Sequence, residues 1–167
     1  MKTLVLGFVL AAAGCSSSTT QPSATTSSGA GGICKEQTAE HCLDVAIGSF
    51  EVDKDAANVI AEYLCAGEFG AATRQACTLA GHVYRTGAAQ TKPDAAKARA
   101  RYERGCPLDA KDAESGSCFR LGLVYGKGKL TLTDAATFPI DKPKGKQYLD
   151  LACTKGFRDA CTVAATL

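Results

Sequence analysis

Residues 94–128 read DAAKARARYERGCPLDAKDAESGSCFRLGLVYGKG. The first part opens on Asp94, a residue whose carboxylate can accept the free amide hydrogens of a first helical turn. Between Asp94 and Cys106 run AAKARARYERG, mostly good helix formers with apolar residues at helical spacing. The second part opens on Cys118 with a different pattern, CFRLGLVY, in which positions 0, +3, +4 and +7 share one helical face. That face carries Cys118, Leu121, Gly122 and Tyr125. A glycine inside a helix costs about 1 kcal/mol relative to alanine, and close approach of a neighbouring element is the natural compensation.

The same two patterns recur outward from this stretch. Eight cysteines fall as Cys34 and Cys42, Cys65 and Cys77, Cys106 and Cys118, Cys153 and Cys161, with separations of 8, 12, 12 and 8. The first members recur after 31, 41 and 47 residues, a solenoid-like period with loop insertions. Twelve residues before Cys65, Cys106 and Cys153 stand Asp53, Asp94 and Asp141. Each predicts a helix, termed B, leading to its cysteine, and Pro143 fits the start of the last one. The second cysteines open CLDVAIGSF, CTLAGHVY, CFRLGLVY and CTVAATL, termed A helices. Four residues on, each has a tiny side chain: Ala46, Gly81, Gly122 and Ala165. The fold class is therefore all-α, with antiparallel helix pairs over residues 33–167, about three repeats, and Cys161 to Leu167 as a half-repeat cap.

The residues Leu121-Gly122-Leu123-Val124-Tyr125 with Gly126-Lys127-Gly128, Ala80-Gly81-His82-Val83-Tyr84 before Gly87, and Tyr102-Glu103-Arg104-Gly105-Cys106 together resemble the Sel-1-like repeat, a tetratricopeptide-related helical hairpin. The cysteine arrangement is similar to the bacterial cysteine-rich branch of that family. The resemblance implies a right-handed α-solenoid in which the end of one B helix is bridged to the next A helix. Of the roughly one hundred pairings open to eight cysteines, it selects Cys34–Cys42, Cys65–Cys77, Cys106–Cys118 and Cys153–Cys161. Zinc-binding thiolates, the competing use, belong to a reducing compartment.

Apolar content of 46% and charged content of 22% describe one ordinary globular unit and exclude a disordered or collagen-like chain. A net charge of +2 is too balanced for a polyanion partner, so nucleic acid is excluded. Residues 1–14 read as a cleaved signal, with Lys2 and an apolar run from Leu4 to Ala13 too short to span a bilayer. Ala12-Ala13-Gly14-Cys15 resembles the lipoprotein lipobox, which implies acylation of Cys15. Setting Cys15 aside leaves an even number of cysteines for pairing. Ser16 then points, by the same resemblance, to an outer-membrane lipoprotein facing the periplasm or the cell surface. An ordinary secretory signal and a secreted or periplasmic protein is the alternative. Residues 15–32 form a Ser/Thr/Gly linker, and its 17 uncharged residues from Ser16 to Gly32 reach about 20–25 Å as a flexible coil.

Catalysis finds little footing. No serine begins an S-x-x-K sequence, and His41 and His82 stand in different repeats, so neither a serine nor a metal site is assigned and no cofactor is called for. The resemblance alone carries the enzyme reading, a weak β-lactamase or penicillin-binding protein. Binding is preferred. Positions +2, +5 and +9 of the A helices project away from the packing face and place Asp44 and Ile47, Leu79, His82 and Thr86, and Arg120, Leu123 and Lys127 on one surface. Such a surface suits a peptide, protein or cell-wall fragment of the envelope, bound by a monomer. The stretch GKGKLTLTDAATFPI, residues 126–140, is six residues longer than its counterpart after Tyr84; it is read as an insertion packed on itself or as a lid over that surface.

Overall fold

The computed structural model describes residues 36–134 and 137–167 together with Gly32 and Cys34. The signal over residues 1–14, the acylation candidate Cys15 and the linker that follows it lie outside the described residues, Gly32 apart. Among the described residues the chain forms seven helices and no strand. None of these helices is long and apolar enough to cross a membrane.

The aspartates twelve residues ahead of a cysteine do start helices. Asp53, Asp94 and Asp141 cap α2 (Lys54–Ala66), α4 (Ala95–Gly105) and α6 (Lys142–Thr154), accepting from the amides of Ala56, Lys97 and Lys144 at 3.0, 2.9 and 3.1 Å. The alternate helices are α1 (Ala39–Ser49), α3 (Ala71–Thr86), α5 (Ser115–Lys127) and α7 (Arg158–Ala164). These begin ahead of their cysteines rather than at them, by six residues in α3 and three in the others. Thr38 and Glu114 set two of those earlier starts, accepting from the amides of His41 and Ser117 at 3.2 and 2.8 Å.

The small side chains at +4 serve a common register. A β-carbon added at Gly81 would lie 2.6 Å from the Tyr102 ring of α4, and one added at Gly122 would lie 2.5 Å from Leu149 of α6. Tyr102 and Leu149 each stand four residues before the cysteine of their helix, so equivalent positions fill equivalent glycines. Ala46 and Ala61, at the matching positions of α1 and α2, are both fully buried. Ala165 departs from the expectation: α7 ends at Ala164, and Ala165 is exposed because no described helix follows to pack on it.

Consecutive helices pack on one another along the chain. Their buried side chains form two clusters, one around Leu43, Ile60, Leu64 and Ala76, the other around Tyr102, Leu121, Leu123, Val124 and Leu149. The four neighbouring cysteine pairs stand at bonding distance, with Cα–Cα separations of 5.8, 4.7, 5.2 and 4.9 Å in chain order. Three of them join an even-numbered helix, or the residue that ends it, to the next odd-numbered helix. Bridges of this kind belong to an oxidising, extracytoplasmic compartment.

Polar bonds join elements that are not sequence neighbours. Arg101 forms a two-armed pair with Glu62, both bonds at 2.6 Å, linking α4 to α2. Arg104 donates to the carbonyls of Ala66 and Gly67 at 3.2 and 3.0 Å, where the C-terminal end of α2 attracts a cation.

Candidate binding groove

Between α1, α3 and α5 lies an open groove of about 280 Å³ lined by Ile47, Phe50, Gln75, Thr78, Leu79, His82 and Glu114. Helical spacing builds it: Gln75, Thr78, Leu79 and His82 occupy positions i, i+3, i+4 and i+7 of α3 and so share one face. Ile47 brings an apolar side chain, half exposed at 50%, from the last turn of α1. Glu114 closes the far wall. Its carboxylate accepts from the Thr78 hydroxyl at 2.9 Å and from the Ser117 amide, while the Thr78 and Ser117 hydroxyls stand 2.5 Å apart. Glu114 therefore caps α5 and fastens α5 to α3 with the same group.

His82 is held neutral. Its ring meets Tyr102 edge-on, with centroids 5.9 Å apart. Burial, and then the positive charges of Arg120 and Arg85, lower its pKa from the ordinary 6.5 to about 4, while Glu114 pulls weakly the other way. At neutral pH the groove presents an uncharged imidazole.

The expected binding residues divide. Leu79 and His82 line the groove, with Ile47. Thr86 is exposed one turn farther along α3, its hydroxyl donating to the His82 carbonyl at 3.0 Å. Asp44 is exposed on α1 outside the groove lining. Arg120 is half-buried and donates to the Leu130 carbonyl at 3.2 Å. Lys127 is half-buried in the last turn of α5. Leu123 is a correction: it is fully buried and cannot offer a ligand surface.

The segment after α5 explains this. Gly128, left-handed at φ +71°, ends the helix, and the amides of Thr137 and Phe138 donate to its carbonyl at 2.7 and 3.0 Å. The insertion is thereby turned back, and Leu130 enters the buried cluster that contains Leu123. Along this part of α5 the expected open face is covered.

Phe50, Gln75, Thr78 and Glu114 were not anticipated. Gln75 lies upstream of Cys77, in the part of α3 that a helix starting at the cysteine omits. No signal like that of the aspartates marked them: Glu114 caps α5 at the Ser117 amide, but a glutamate is an uncommon cap.

A separate cavity of about 380 Å³ lies between Gly67, Glu68, Gly70, Thr73, Arg74, Arg104 and Pro107. Its arginines are already engaged: Arg74 donates to the Arg104 carbonyl at 3.0 Å and pairs with Asp112 at 3.4 Å, and Arg104 caps α2. Among the described residues, no three or more histidine, cysteine or acidic side chains cluster as metal ligands would. Ser117 is fully buried and the eight described cysteines are bridged. The chain matches no family model, no curated protein and no solved structure.

Proposed function

We propose that this chain is a noncatalytic binding module of the bacterial cell envelope, a right-handed solenoid of Sel-1-like hairpins tethered to the membrane through acylated Cys15. Its ligand is an extended peptide, the exposed segment of an envelope partner, held along the groove between α1, α3 and α5. The groove itself carries the reading: half-exposed Ile47 with the partly buried Phe50 and Leu79 offers an apolar strip open to a ligand, and Gln75 offers amide hydrogen bonds to a peptide backbone. Recognition by an apolar strip with a polar rim is a general mode of peptide capture. The long uncharged linker fits a tether that holds such a module clear of lipid headgroups.

Peptide display against the oxidised full chain, followed by anisotropy with the selected peptides, tests this. Ile47→Asp and Leu79→Asp are expected to weaken binding about tenfold or more, as loss of a central apolar anchor does. Selected peptides that bind these variants as tightly as the parent protein would remove the groove from consideration. Anchoring is checked separately: Cys15→Ser is expected to abolish incorporation of labelled palmitate, and unchanged incorporation would refute the tether.

A further inference from the structure

Among the described residues that line the groove between α1, α3 and α5, Glu114 alone carries a charge at neutral pH. Ile47, Phe50 and Leu79 are apolar, Gln75 and Thr78 are neutral, and the His82 imidazole is unprotonated. Both hydrogen bonds that the protein gives to the Glu114 carboxylate, from the Thr78 hydroxyl and the Ser117 amide, fall on Oε2. Oε1 has no partner among the described residues and keeps surface open to solvent. No described lysine, arginine or histidine forms an ion pair with Glu114. Two nearby cations stay out of the lining: the Lys54 ammonium lies 5.4 Å from the Phe50 ring centroid, and Arg120 donates to the Leu130 carbonyl.

The α1 wall adds charge of the same sign. Glu40 and Asp44 stand seven and three residues before Ile47, on the helical face that Ile47 shares. Both are exposed, and neither enters an ion pair among the described residues. A carboxylate set against apolar side chains is less screened than one on an open surface, so an opposite charge brought to it gains more. Covering it with a purely apolar group would instead strip its water without replacement, and an acidic group would be repelled. Lysine and arginine match the combination, because each joins a long aliphatic stem to a cationic head.

We propose that the groove selects peptides carrying a basic residue, whose aliphatic stem lies along Ile47 and Leu79 and whose cationic head meets the Glu114 carboxylate. This rests on the groove reading above and names the class of peptide that the groove takes.

The test pans a random decapeptide display library against the oxidised full chain and, in parallel, against Glu114→Gln. Glutamine keeps an oxygen that can accept from Thr78 and Ser117 while removing the charge. Peptides selected on the parent chain are expected to be enriched in lysine or arginine beside apolar residues, and those selected on Glu114→Gln are not. The tightest parent-selected peptide is then synthesised with a fluorescent label, together with an analogue in which norleucine replaces its basic residue and so keeps the stem without the charge. By anisotropy, Glu114→Gln is expected to weaken the basic peptide about tenfold and to leave the norleucine analogue unchanged. On the parent chain the norleucine exchange alone is expected to cost about tenfold, a comparison that holds even where Glu114→Gln does not fold. Selected peptides no richer in basic residues than the library, or equal losses for both peptides in Glu114→Gln, would overturn the proposal. Binding that depends on Leu79 but not on Glu114 or the peptide's charge would do so while leaving the groove reading intact. Peptides indifferent to Ile47→Asp and Leu79→Asp would remove the groove reading and this proposal with it.

Discussion

Gly122 and Gly48 are both helical glycines, yet they answer to different forces. At Gly122 an added methyl group meets Leu149, whereas at Gly48 nothing lies within 4 Å. Gly122→Ala should therefore cost about 1–3 kcal/mol through overpacking, despite the better helix propensity of alanine. Gly48→Ala should instead stabilise by up to about 1 kcal/mol. Urea midpoints measure both, and shifts of the same sign would contradict the assigned packing face. His82 makes a pH-dependent claim. The unfolded chain takes up a proton near 6.5, whereas the folded ring, among Tyr102, Arg85 and Arg120 and opposed only by Glu114, resists until about 4. Its contribution is present in full above the higher value and is lost as pH falls toward the lower one. The loss reaches at most about 3 kcal/mol, less what solvent screens at the exposed edge of the ring. Comparing stability at neutral and mildly acid pH, His82→Gln should lose less than the parent; equal losses would mean that the ring is not buried as described.

At the scale of elements, the caps decide where helices begin. The amides of Asp94 and Asp141 donate to the carbonyls of Tyr84 and Tyr125, each at 2.7 Å, so the same aspartate both starts a helix and ties it to the previous one. Asp141→Ala should lower stability by about 1 kcal/mol. Glu114→Ala should lower it further, because the half-buried Thr78 hydroxyl loses an acceptor on α5 along with the α5 cap at the Ser117 amide. Thermal unfolding of the two variants orders these costs, and the reverse order would show that the Glu114 link between α3 and α5 adds nothing. The aspartates were legible because their distance to the cysteine is constant. Glu114 and the early start of α3 were not, because a glutamate is an uncommon cap and Gly70, left-handed at φ +59°, offers no side chain to recognise.

Across the whole molecule, stability is distributed between neighbours. Two buried clusters take the place of a single centre, and each bridge closes a loop of 8 or 12 residues. In the entropic picture such a bridge stabilises by about 2–3 kcal/mol. Four together rival the whole margin of about 5–15 kcal/mol available to a domain. Reduction is therefore expected to abolish most of the helical circular-dichroism signal at 37 °C, and retention of that signal would show that the helices hold without their bridges. Timed reduction with alkylation should open Cys153–Cys161 first, since Cys161 is exposed while the other three bridges are buried. Mass mapping reads the order; simultaneous opening would indicate unfolding of the domain as one unit.

Local chemistry was legible in the amino acids: helical content, the three aspartate caps and the packing role of Gly81 and Gly122 follow from spacing along the chain, whereas the neighbour pairing of the cysteines was selected by the resemblance to a repeat family. These depend on contacts within a helix or between adjacent helices, where periodicity specifies which side chains meet. The groove was only half legible, since Leu79 and His82 share the face of α3 with Gln75 and Thr78 but Phe50 and Glu114 come from other elements. The burial of Leu123 depends on how the segment after Gly128 turns back, and the edge-on packing of His82 on Tyr102 depends on how α4 inserts a ring beneath Gly81. Such placements arise from packing between segments far apart in the chain, and no pattern within one helix encodes them.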